Sequence, residues 1–284
     1  MASDDNFVSQ DISAAEIEYE RRRNIELADI AASDEEKSAL LEEASRLGEA
    51  IKNVVFFFYD DKQIESEEWF NDDGEVSRVG APASVEYGSN GLSTSEKWFV
   101  DGKKHRIDGP AVVRYYTSDD NTAKHVIRQE TWCADGEMHR DGDEPAMRHY
   151  FENGSVHIEE WFVRGQHRTS GPAVITYYEN GLINSAEWLF NGKRHTVGAP
   201  ATLVFNDNGL PKMELWYVDG QEHRLDGPAV VTYHHNGCIG QETWYENGLL
   251  HRIGEPANIT YSDDGSISHT SWYFNGMFMV CNVM

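Results

Sequence analysis

The sequence predicts a mainly β protein: an elongated antiparallel meander of about eight β-hairpin repeats of about 28 residues each, preceded by an α-helical hairpin that caps one end. Three observations predict this fold. The eight tryptophans recur at spacings of 29, 34, 29, 27, 28, 28 and 28 residues, and a fixed period of this size is the signature of stacked structural units. Asn-Gly or Asp-Gly pairs, which favour tight hairpin turns, return in most repeats. Residues 1–52 contain no Trp, Pro or Cys and carry helix-start signals instead.

Residues 1–52 are predicted to form the helical hairpin. Two capping boxes, in which a Ser and a Glu three residues later satisfy free N–H groups at a helix start, begin at Ser13 and Ser33. The basic run at Arg21 lies among glutamates and predicts ion pairs within the first helix. The second box precedes an apolar stripe with helical spacing, at Leu40, Ala44, Leu47 and Ile51. We expect this stripe to cover one end of the repeats, because repeat arrays need capped ends.

Residues 53–284 are predicted to form the repeat array. The repeat reads W-φ-x-[DN]-G-x-x-H-R-x-x-G-P-A-x-x-x-Y-x-x-[ND]-G-x-x-x-x-E-x-W, where φ is usually aromatic. The β-branched and aromatic run after Pro-Ala has a strand composition, and proline belongs at the start of a strand because it lacks an N–H group. A second strand leads to the tryptophan, a second Gly turn follows it, and about ten residues then connect to the next Pro-Ala. The glycines of these second turns are Gly102, Gly136, Gly165, Gly192, Gly220, Gly248 and Gly276. Because one hairpin is only marginally stable in water, neighbouring hairpins are expected to bury each other's aromatic faces.

The recurring Trp and His residues are predicted to be structural. One His per repeat gives a line whose members lie roughly 9–10 Å apart, whereas a metal site needs three or four ligands at one point. We therefore expect these imidazoles to bond turn backbone, and we expect no metal. The Glu two residues before each Trp shares a strand face with it and is expected to pair with the repeat Arg. The predicted structural residues are Trp98, Trp161, Trp188, Trp216, Trp244, His105, His139, His167, His195, His223 and His251.

The charge of the chain predicts the kind of partner. There are 49 acidic and 24 basic residues, and the formal net charge is −25. Such a field repels nucleic acid and anionic membrane and favours a basic partner, while solubility alone is the alternative reading. Acidic clusters that differ between repeats are the candidate partner-binding surface. They are Asp60, Asp61, Asp72, Asp73, Asp119, Asp120, Asp141, Asp143, Glu144, Asp263 and Asp264.

The sequence favours a non-enzymatic protein without a cofactor. It contains no GxSxG, P-loop, GxGxxG or HExxH motif, and residues that recur equally in six repeats indicate architecture, since catalysis needs one asymmetric pocket. The scattered cysteines, the lack of an apolar run of about 20 residues and the lack of a signal peptide predict a cytoplasmic protein, in the host cytoplasm for a chain of phage or viral origin. The apolar C-terminal segment 278–284 predicts either a closing strand or half of a self-association surface.

The repeat resembles a known family. The segment YYENG from Tyr177 to Gly181, with Glu187, Trp188, Asn191-Gly192 and His195 after it, resembles MORN repeats and especially the MORN-variant repeats of a bacterial toxin–antitoxin antitoxin family. The resemblance covers about residues 54–276. The repeat differs from that family in its greater length and in its His-Arg-x-x-Gly-Pro-Ala segment. The resemblance implies a β-hairpin repeat protein used for binding, as an antitoxin or as a scaffold.

Charge and resemblance together predict a protein that binds and inhibits or sequesters a basic protein, such as a nuclease, a toxin or a nucleic-acid-binding enzyme. A sharper form of this hypothesis is a DNA mimic that disables a host defence protein. Two alternatives stay open: a structural scaffold or virion component, and an enzyme whose pocket the sequence does not reveal.

Overall fold

The computed structural model describes residues 14–30, 34–50, 53–60, 62–117 and 126–279. These residues divide into two compact units. The first holds the described residues up to Lys103, together with Thr117, and the second holds Lys104–Tyr116 and the described residues from Val126 onward. The two helices therefore share a compact unit with the first hairpins. The proposed division between residues 52 and 53 stays a prediction.

The first compact unit contains two helices and the first strands: α1 (Ala14–Ile30), α2 (Asp34–Ala50), β1 (Val54–Phe58), β2 (Ile64–Trp69), β3 (Ser84–Tyr87), β4 (Ser93–Lys97) and β5 (Phe99–Val100), with β6 (Lys103–Lys104) at its boundary. Strands β1 to β4 pair antiparallel in chain order. In α1, Arg21 and Arg22 each lie 2.7 Å from the buried Glu18. The Arg22 guanidinium also lies 3.9 Å from the centre of the Phe58 ring, so α1 contacts the first strand.

Only part of the predicted helical stripe lies within the described residues. Leu40 is half-buried and Ala44 is buried. The side chain of Leu47, residue 51 and both predicted capping serines lie outside the described residues.

The second compact unit contains twelve longer strands and six pairs of two-residue strands. The longer strands are β7 (Val112–Tyr115), β8 (Ile127–Thr131), β11 (Met147–Tyr150), β12 (Val156–Glu160), β15 (Val174–Tyr177), β16 (Ile183–Glu187), β19 (Thr202–Phe205), β20 (Pro211–Leu215), β23 (Val230–Tyr233), β24 (Ile239–Thr243), β27 (Asn258–Tyr261) and β28 (Ile267–Ser271). The short pairs are β9 (Cys133–Ala134) with β10 (Glu137–Met138), β13 (Phe162–Val163) with β14 (Gln166–His167), β17 (Leu189–Phe190) with β18 (Lys193–Arg194), β21 (Tyr217–Val218) with β22 (Gln221–Glu222), β25 (Tyr245–Glu246) with β26 (Leu249–Leu250), and β29 (Tyr273–Phe274) with β30 (Met277–Phe278).

The predicted fold class is confirmed. Within the described residues, sixteen longer strands follow one another as an antiparallel meander after a helical pair. The predicted second Gly turn lies within a short hairpin of two-residue strands that follows most of the tryptophans, and these short strands are what the structure adds. Its turn uses a positive-φ pair, such as Asn191 at 50° and Gly192 at 73°, which is the conformation that a two-residue hairpin loop requires. Of the predicted C-terminal segment, residues 280–284 lie outside the described residues.

The alanine of each Pro-Ala pair sits where two repeats meet. The Ala201 N–H donates to the Leu215 carbonyl at 2.8 Å, and the Ala201 carbonyl accepts from the Trp188 N–H of the preceding repeat at 2.9 Å. Its methyl group has no solvent exposure, and the same is true of Ala83, Ala111, Ala146, Ala173, Ala229 and Ala257. The backbone bonds on both sides bring three chain segments close together, so only a small side chain fits at this position.

The repeats alternate between two forms. In one form the loop before proline reads x-Gly-x-Pro or a longer variant and contains a positive-φ glycine; in the other form glycine directly precedes proline. A second alternation concerns the residue that directly follows the first long strand of each repeat. Here a side chain in every other repeat donates to a backbone carbonyl of the next repeat: Tyr59 to Tyr87, Tyr116 to Tyr150, Tyr178 to Phe205 and His234 to Tyr261. The structural period is therefore two repeats.

We predict that Ala201→Val destabilises the second compact unit. The two added methyl groups have no free space, and overpacking of this kind costs about 1–3 kcal/mol. The measurement is the urea midpoint of unfolding followed by tryptophan fluorescence. Ala199→Val is the matched control, because Ala199 is exposed two residues earlier and surface changes usually stay within about 0.5 kcal/mol. Equal midpoints for both variants would contradict the role assigned to the buried alanine.

Candidate functional site

Arginine stacks on tryptophan in repeat after repeat. The Arg224 guanidinium lies 3.7 Å from the Trp216 ring centre and donates to the Pro228 carbonyl at 3.4 Å. A Cβ atom at Gly227 would lie 2.7 Å from the Arg224 guanidinium carbon, so glycine before proline leaves room for this stack. The same stacking, at 3.7–4.0 Å, joins Arg78 to Trp69, Arg140 to Trp132, Arg168 to Trp161 and Arg252 to Trp244. These cations are therefore held in the framework of the array.

Four of the repeat glutamates accept a hydrogen bond from a tyrosine of the next repeat. The hydroxyl of each tyrosine that ends a first long strand donates to the Glu of the preceding repeat: Tyr150 to Glu130, Tyr177 to Glu159, Tyr233 to Glu214 and Tyr261 to Glu242, at 2.5–2.8 Å. Burial, followed by the neighbouring carboxylate, raises the pKa of Tyr233 and of Tyr261 to about 12. The expected Glu–Arg pair is present at Glu67, whose carboxylate lies 3.9 Å from the Arg78 guanidinium, whereas these four glutamates have a tyrosine as partner in place of the repeat Arg.

The repeat histidines bond the backbone of the following turn. Five of them accept at Nδ1 from the N–H of the residue before the turn glycine: His105 from Asp135, His139 from Arg164, His195 from Asp219, His223 from Asn247 and His251 from Asn275, at 3.1–3.4 Å. His167 places Nε2 3.4 Å from a Glu160 carboxylate oxygen. Within the part of the chain that the structure describes, no three His, Cys, Asp or Glu side chains converge in a way that could hold a metal ion.

The predicted structural tryptophans occupy equivalent places. Each of Trp98, Trp161, Trp188, Trp216 and Trp244 lies between a long strand and the short strand that follows it. Trp161 is the most enclosed of these, with 8% of its surface exposed. The backbone N–H of Trp161, Trp188, Trp216 and Trp244 donates to the alanine carbonyl of the next Pro-Ala pair.

The second compact unit has two edges of different character. The loop edge consists of the loops that precede Pro110, Pro145, Pro172, Pro200, Pro228 and Pro256. The turn edge lies at the other ends of the long strands, and its fully described turns are those at 151–155, 178–182, 206–210, 234–238 and 262–266; the turn between β7 and β8 lies mostly outside the described residues. Because the strands meander in chain order, all the loops lie at one side of the sheet and all the turns at the other.

Acidic side chains of the loop edge are paired within the chain. The pairs are Asp108 with Arg106, Asp141 with His139, Asp143 with Arg168, Glu144 with Arg148, Asp226 with Arg224 and Glu255 with Arg252. The adjacent guanidinium lowers the pKa of Asp108 and of Asp226. These carboxylates are therefore already matched by basic groups of the protein itself.

Acidic side chains of the turn edge are exposed, and most are unpaired. Glu152, Glu179, Asp207 and Asp264 form no ion pair with any described residue, and the five turns contain no Lys or Arg. Asp263 lies 3.1 Å from the His234 ring. Hydrogen bonds from the Ser266 hydroxyl and N–H lower the pKa of Asp264 and keep it charged. The turn edge therefore presents negative charge that the protein does not itself neutralise.

Side-chain amides fix some of the turns against their neighbours. The Asn180 side chain donates to the Asp207 carbonyl at 2.8 Å, and the Asn236 side chain donates to the Asp263 carbonyl at 3.1 Å. Neighbouring turns lie two strand spacings apart, or about 9–10 Å. Acidic groups therefore follow one another at this separation in the turns at 151–155, 178–182 and 206–210, and the next acidic turn is the one at 262–266.

The structure does not bring the predicted acidic residues together. Asp141, Asp143 and Glu144 lie on the loop edge, whereas Asp263 and Asp264 lie on the turn edge. Exposed positions in turns of the first compact unit hold Asp60, Asp72 and Asp73. The remaining three, Asp61, Asp119 and Asp120, lie outside the described residues.

Sequence reasoning missed three residues of the turn edge, namely Glu152, Glu179 and Asp207. The candidate residues are acidic groups that differ between repeats, whereas these three belong to the repeated turn itself, as in YENG and NDNG. The signal that could have found them is the combination of an acidic residue in the turn with no Lys or Arg in any of the five turns.

Comparison of the chain with protein-family models, with curated proteins and with solved structures gives no match. Within the described residues, no helix combines the length and the apolar character needed to cross a membrane.

We predict that the half-buried tyrosines bonded to glutamates make the protein sensitive to alkali. A pKa raised to about 12 in the folded state, for Tyr233 and Tyr261, lies above the ordinary value of about 10. The stability that these groups contribute is fully present below about pH 10 and is lost as the pH rises through about 12. The measurement is Tm between about pH 9 and 11.5. The double variant Y233F/Y261F should lose less Tm over this interval than wild type, and Y19F, at an exposed site, should behave as wild type.

We predict that Gly227 and Arg224 are energetically coupled. Arg224→Thr removes a cation–π contact of about 0.5–2 kcal/mol, and Gly227→Ala displaces the same guanidinium by a clash at 2.7 Å. The double variant should therefore be no less stable than R224T alone, as a double-mutant cycle of urea unfolding measures. Strictly additive losses would show that the glycine does not make room for the arginine.

Proposed function

We propose that the protein is a non-enzymatic binding protein whose turn edge captures a basic protein and thereby inhibits or sequesters it. The carrying observation is the row of exposed, unpaired carboxylates on the turn edge, at Glu152, Glu179, Asp207 and Asp264, without a Lys or Arg in those turns. Nucleases, toxins and nucleic-acid-binding enzymes present basic surfaces of the matching kind. The expected antitoxin-like or DNA-mimic role belongs to this proposal.

The electrostatics of the row supports fast and selective capture. Several exposed charges of one sign on the same edge raise the local concentration of an oppositely charged partner and speed its association. The wider charge of −25 adds to this attraction at long range. Because the Debye length is about 8 Å in physiological salt, the interaction should weaken strongly as salt increases.

The contrast between the two edges argues against solubility as the whole reason for the acidity. Solubility depends on net charge and does not require that one edge keep its carboxylates unpaired. On the loop edge the acidic groups contact Arg or His, as Asp226 contacts Arg224 at 3.0 Å. On the turn edge they face solvent, where a partner's Lys and Arg side chains can reach them.

The test compares two variants that lose the same charge. The triple variant E152Q/E179Q/D207N neutralises the turn edge, and D108N/D141N/D226N neutralises three paired groups of the loop edge. Each immobilised protein is exposed to a lysate at about 0.1 M and 0.5 M salt, the captured proteins are identified by mass spectrometry, and the Kd of the principal one is measured.

The turn-edge variant should bind the captured basic protein about 10- to 100-fold more weakly, since three exposed ion pairs contribute up to about 1 kcal/mol each. The loop-edge variant should bind as wild type, and high salt should release the partner from both wild type and loop-edge variant. Capture that is equal for both variants, or that survives high salt, would overturn the proposal.

A further inference from the structure

Two loops of the chain have the same sequence except at their first residue, which is Arg78 in one loop and Thr196 in the other. Residues 78–83 read RVGAPA and residues 196–201 read TVGAPA. Their backbones match: the Arg78 N–H donates to the Phe99 carbonyl at 3.4 Å and the Thr196 N–H donates to the Tyr217 carbonyl at 3.3 Å. The glycine φ angles are 75° at Gly80 and 73° at Gly198. The first loop therefore shows what an arginine does in this backbone.

In the first loop the arginine fills a defined place. The Arg78 guanidinium lies 3.9 Å from the Trp69 ring centre and 3.4 Å from the Pro82 carbonyl oxygen. In the second loop, Trp188 and Pro200 occupy the equivalent positions, and Thr196 is too short to reach them. Among the described residues, no guanidinium stacks on Trp188 and none donates to the Pro200 carbonyl. The nearest candidate by sequence, Arg194, bonds Glu187 and lies by the Tyr217 ring.

The surroundings of Trp188 have changed together with the arginine. The Glu and Tyr found at these positions in most other repeats are Ala186 and Phe205 here. Ala186 is buried, Phe205 is half-buried, and the loop residue Val197 is 90% exposed. The half-buried Trp188 ring and the Pro200 carbonyl thus offer a flat π surface and a hydrogen-bond acceptor that no arginine of the described residues occupies.

We propose that this place, formed by Trp188, Thr196 and Pro200, binds a guanidinium group supplied by an arginine side chain of the basic partner. A guanidinium is flat, carries N–H donors in its plane and stacks on aromatic rings, as Arg78 does in the matching loop. This inference deepens the proposed function and rests on it for the source of the arginine. The overall charge of −25 favours a cation in this place.

The site discriminates between cations by shape. A Lys ammonium is a compact, strongly hydrated point charge, whereas a guanidinium is planar and more weakly hydrated. Since the carboxylate of the other repeats is replaced by Ala186, recognition depends on stacking and on the Pro200 carbonyl. We therefore expect millimolar affinity for an isolated guanidinium and a stronger effect when the turn edge holds the same partner.

The test follows the Trp188 indole N–H signal by NMR, assigned with Trp188→Phe, during titration with Nα-acetyl-arginine amide. The signal should shift and saturate, and at least 10-fold more Nα-acetyl-citrulline amide, the neutral analogue of the same shape, or Nα-acetyl-lysine amide should be needed. Thr196→Arg should abolish the shift, because the protein's own arginine then occupies the ring. Thr169→Arg is the matched control, since it adds the same charge to an exposed loop position where Arg168 already covers Trp161.

A gain of binding provides a second measurement. The double variant A186E/F205Y restores the Glu–Tyr pair of the other repeats and should bind arginine amide several-fold more tightly. The peptide acetyl-Gly-Gly-Arg-Gly-Gly-amide should bind as well as the free amide. Three results would overturn the proposal: no selective shift of Trp188, equal binding of citrulline, or exclusion of the peptide while the amide binds.

The two proposals can fail separately. The turn-edge variant E152Q/E179Q/D207N should leave the Trp188 titration unchanged within about 2-fold, because the turns lie at the opposite ends of the long strands from the loop at 196–200 and salt screens exposed charges beyond about 8 Å. T196R should leave the salt-dependent attraction of the turn edge intact and remove only the part of the affinity that arginine contributes. A shift of Trp188 that depends on the turn-edge charges would contradict a separate guanidinium site.

Discussion

The backbone pairing around each buried alanine is the constraint on which the rest of the second compact unit depends. Ala201 bonds one chain segment through its N–H and another through its carbonyl, and its methyl group is fully enclosed. This pairing sets the position of the tryptophan, whose backbone N–H it binds, and of the proline, which it follows directly. The arginine that stacks on that tryptophan and bonds that proline is therefore placed by the same contact, so one small residue fixes the geometry of each repeat.

The same framework determines which acidic side chains are paired within the protein and which remain exposed without a basic partner. Stacked arginines such as Arg224 stay near the acidic groups of their own loop and neutralise them locally. The long strands then separate these loops from the turns, where Glu179 and Asp207 meet no basic side chain of the described residues. An excess of acidic residues in the sequence thus becomes a surface with one neutralised edge and one strongly negative edge. At Trp188 the framework lacks the stacked arginine that a repeat such as that of Trp216 supplies, so the place of that arginine is open to a cation from a partner.

Much of the fold could be predicted from the sequence because its signals are local. Asn191-Gly192 predicts a turn by its backbone preference, and the strands around it follow from β-branched residues. The partner of each repeat glutamate could not be predicted, because Tyr177 and Glu159 meet only when two repeats pair in a particular register. Arg168 competes for the same glutamate in the sequence pattern, and only the structure shows that it faces Trp161. For the acidic site, exposure and pairing decide which carboxylates are available, and neither is visible in composition.

The alternation between adjacent repeats limits how the array can change in length. A loop with a positive-φ glycine follows one with glycine directly before proline, and every second turn is tied to the next by a Tyr or His side chain, such as Tyr178. Deleting a single repeat would place two loops of the same form side by side. It would also bring a repeat of the wrong form next to a Tyr or His side chain that donates to the backbone carbonyl of its neighbour. Growth or shortening by a pair of repeats, about 56 residues, preserves every neighbour relation. The natural building block for evolution and for engineering of this scaffold is therefore the pair.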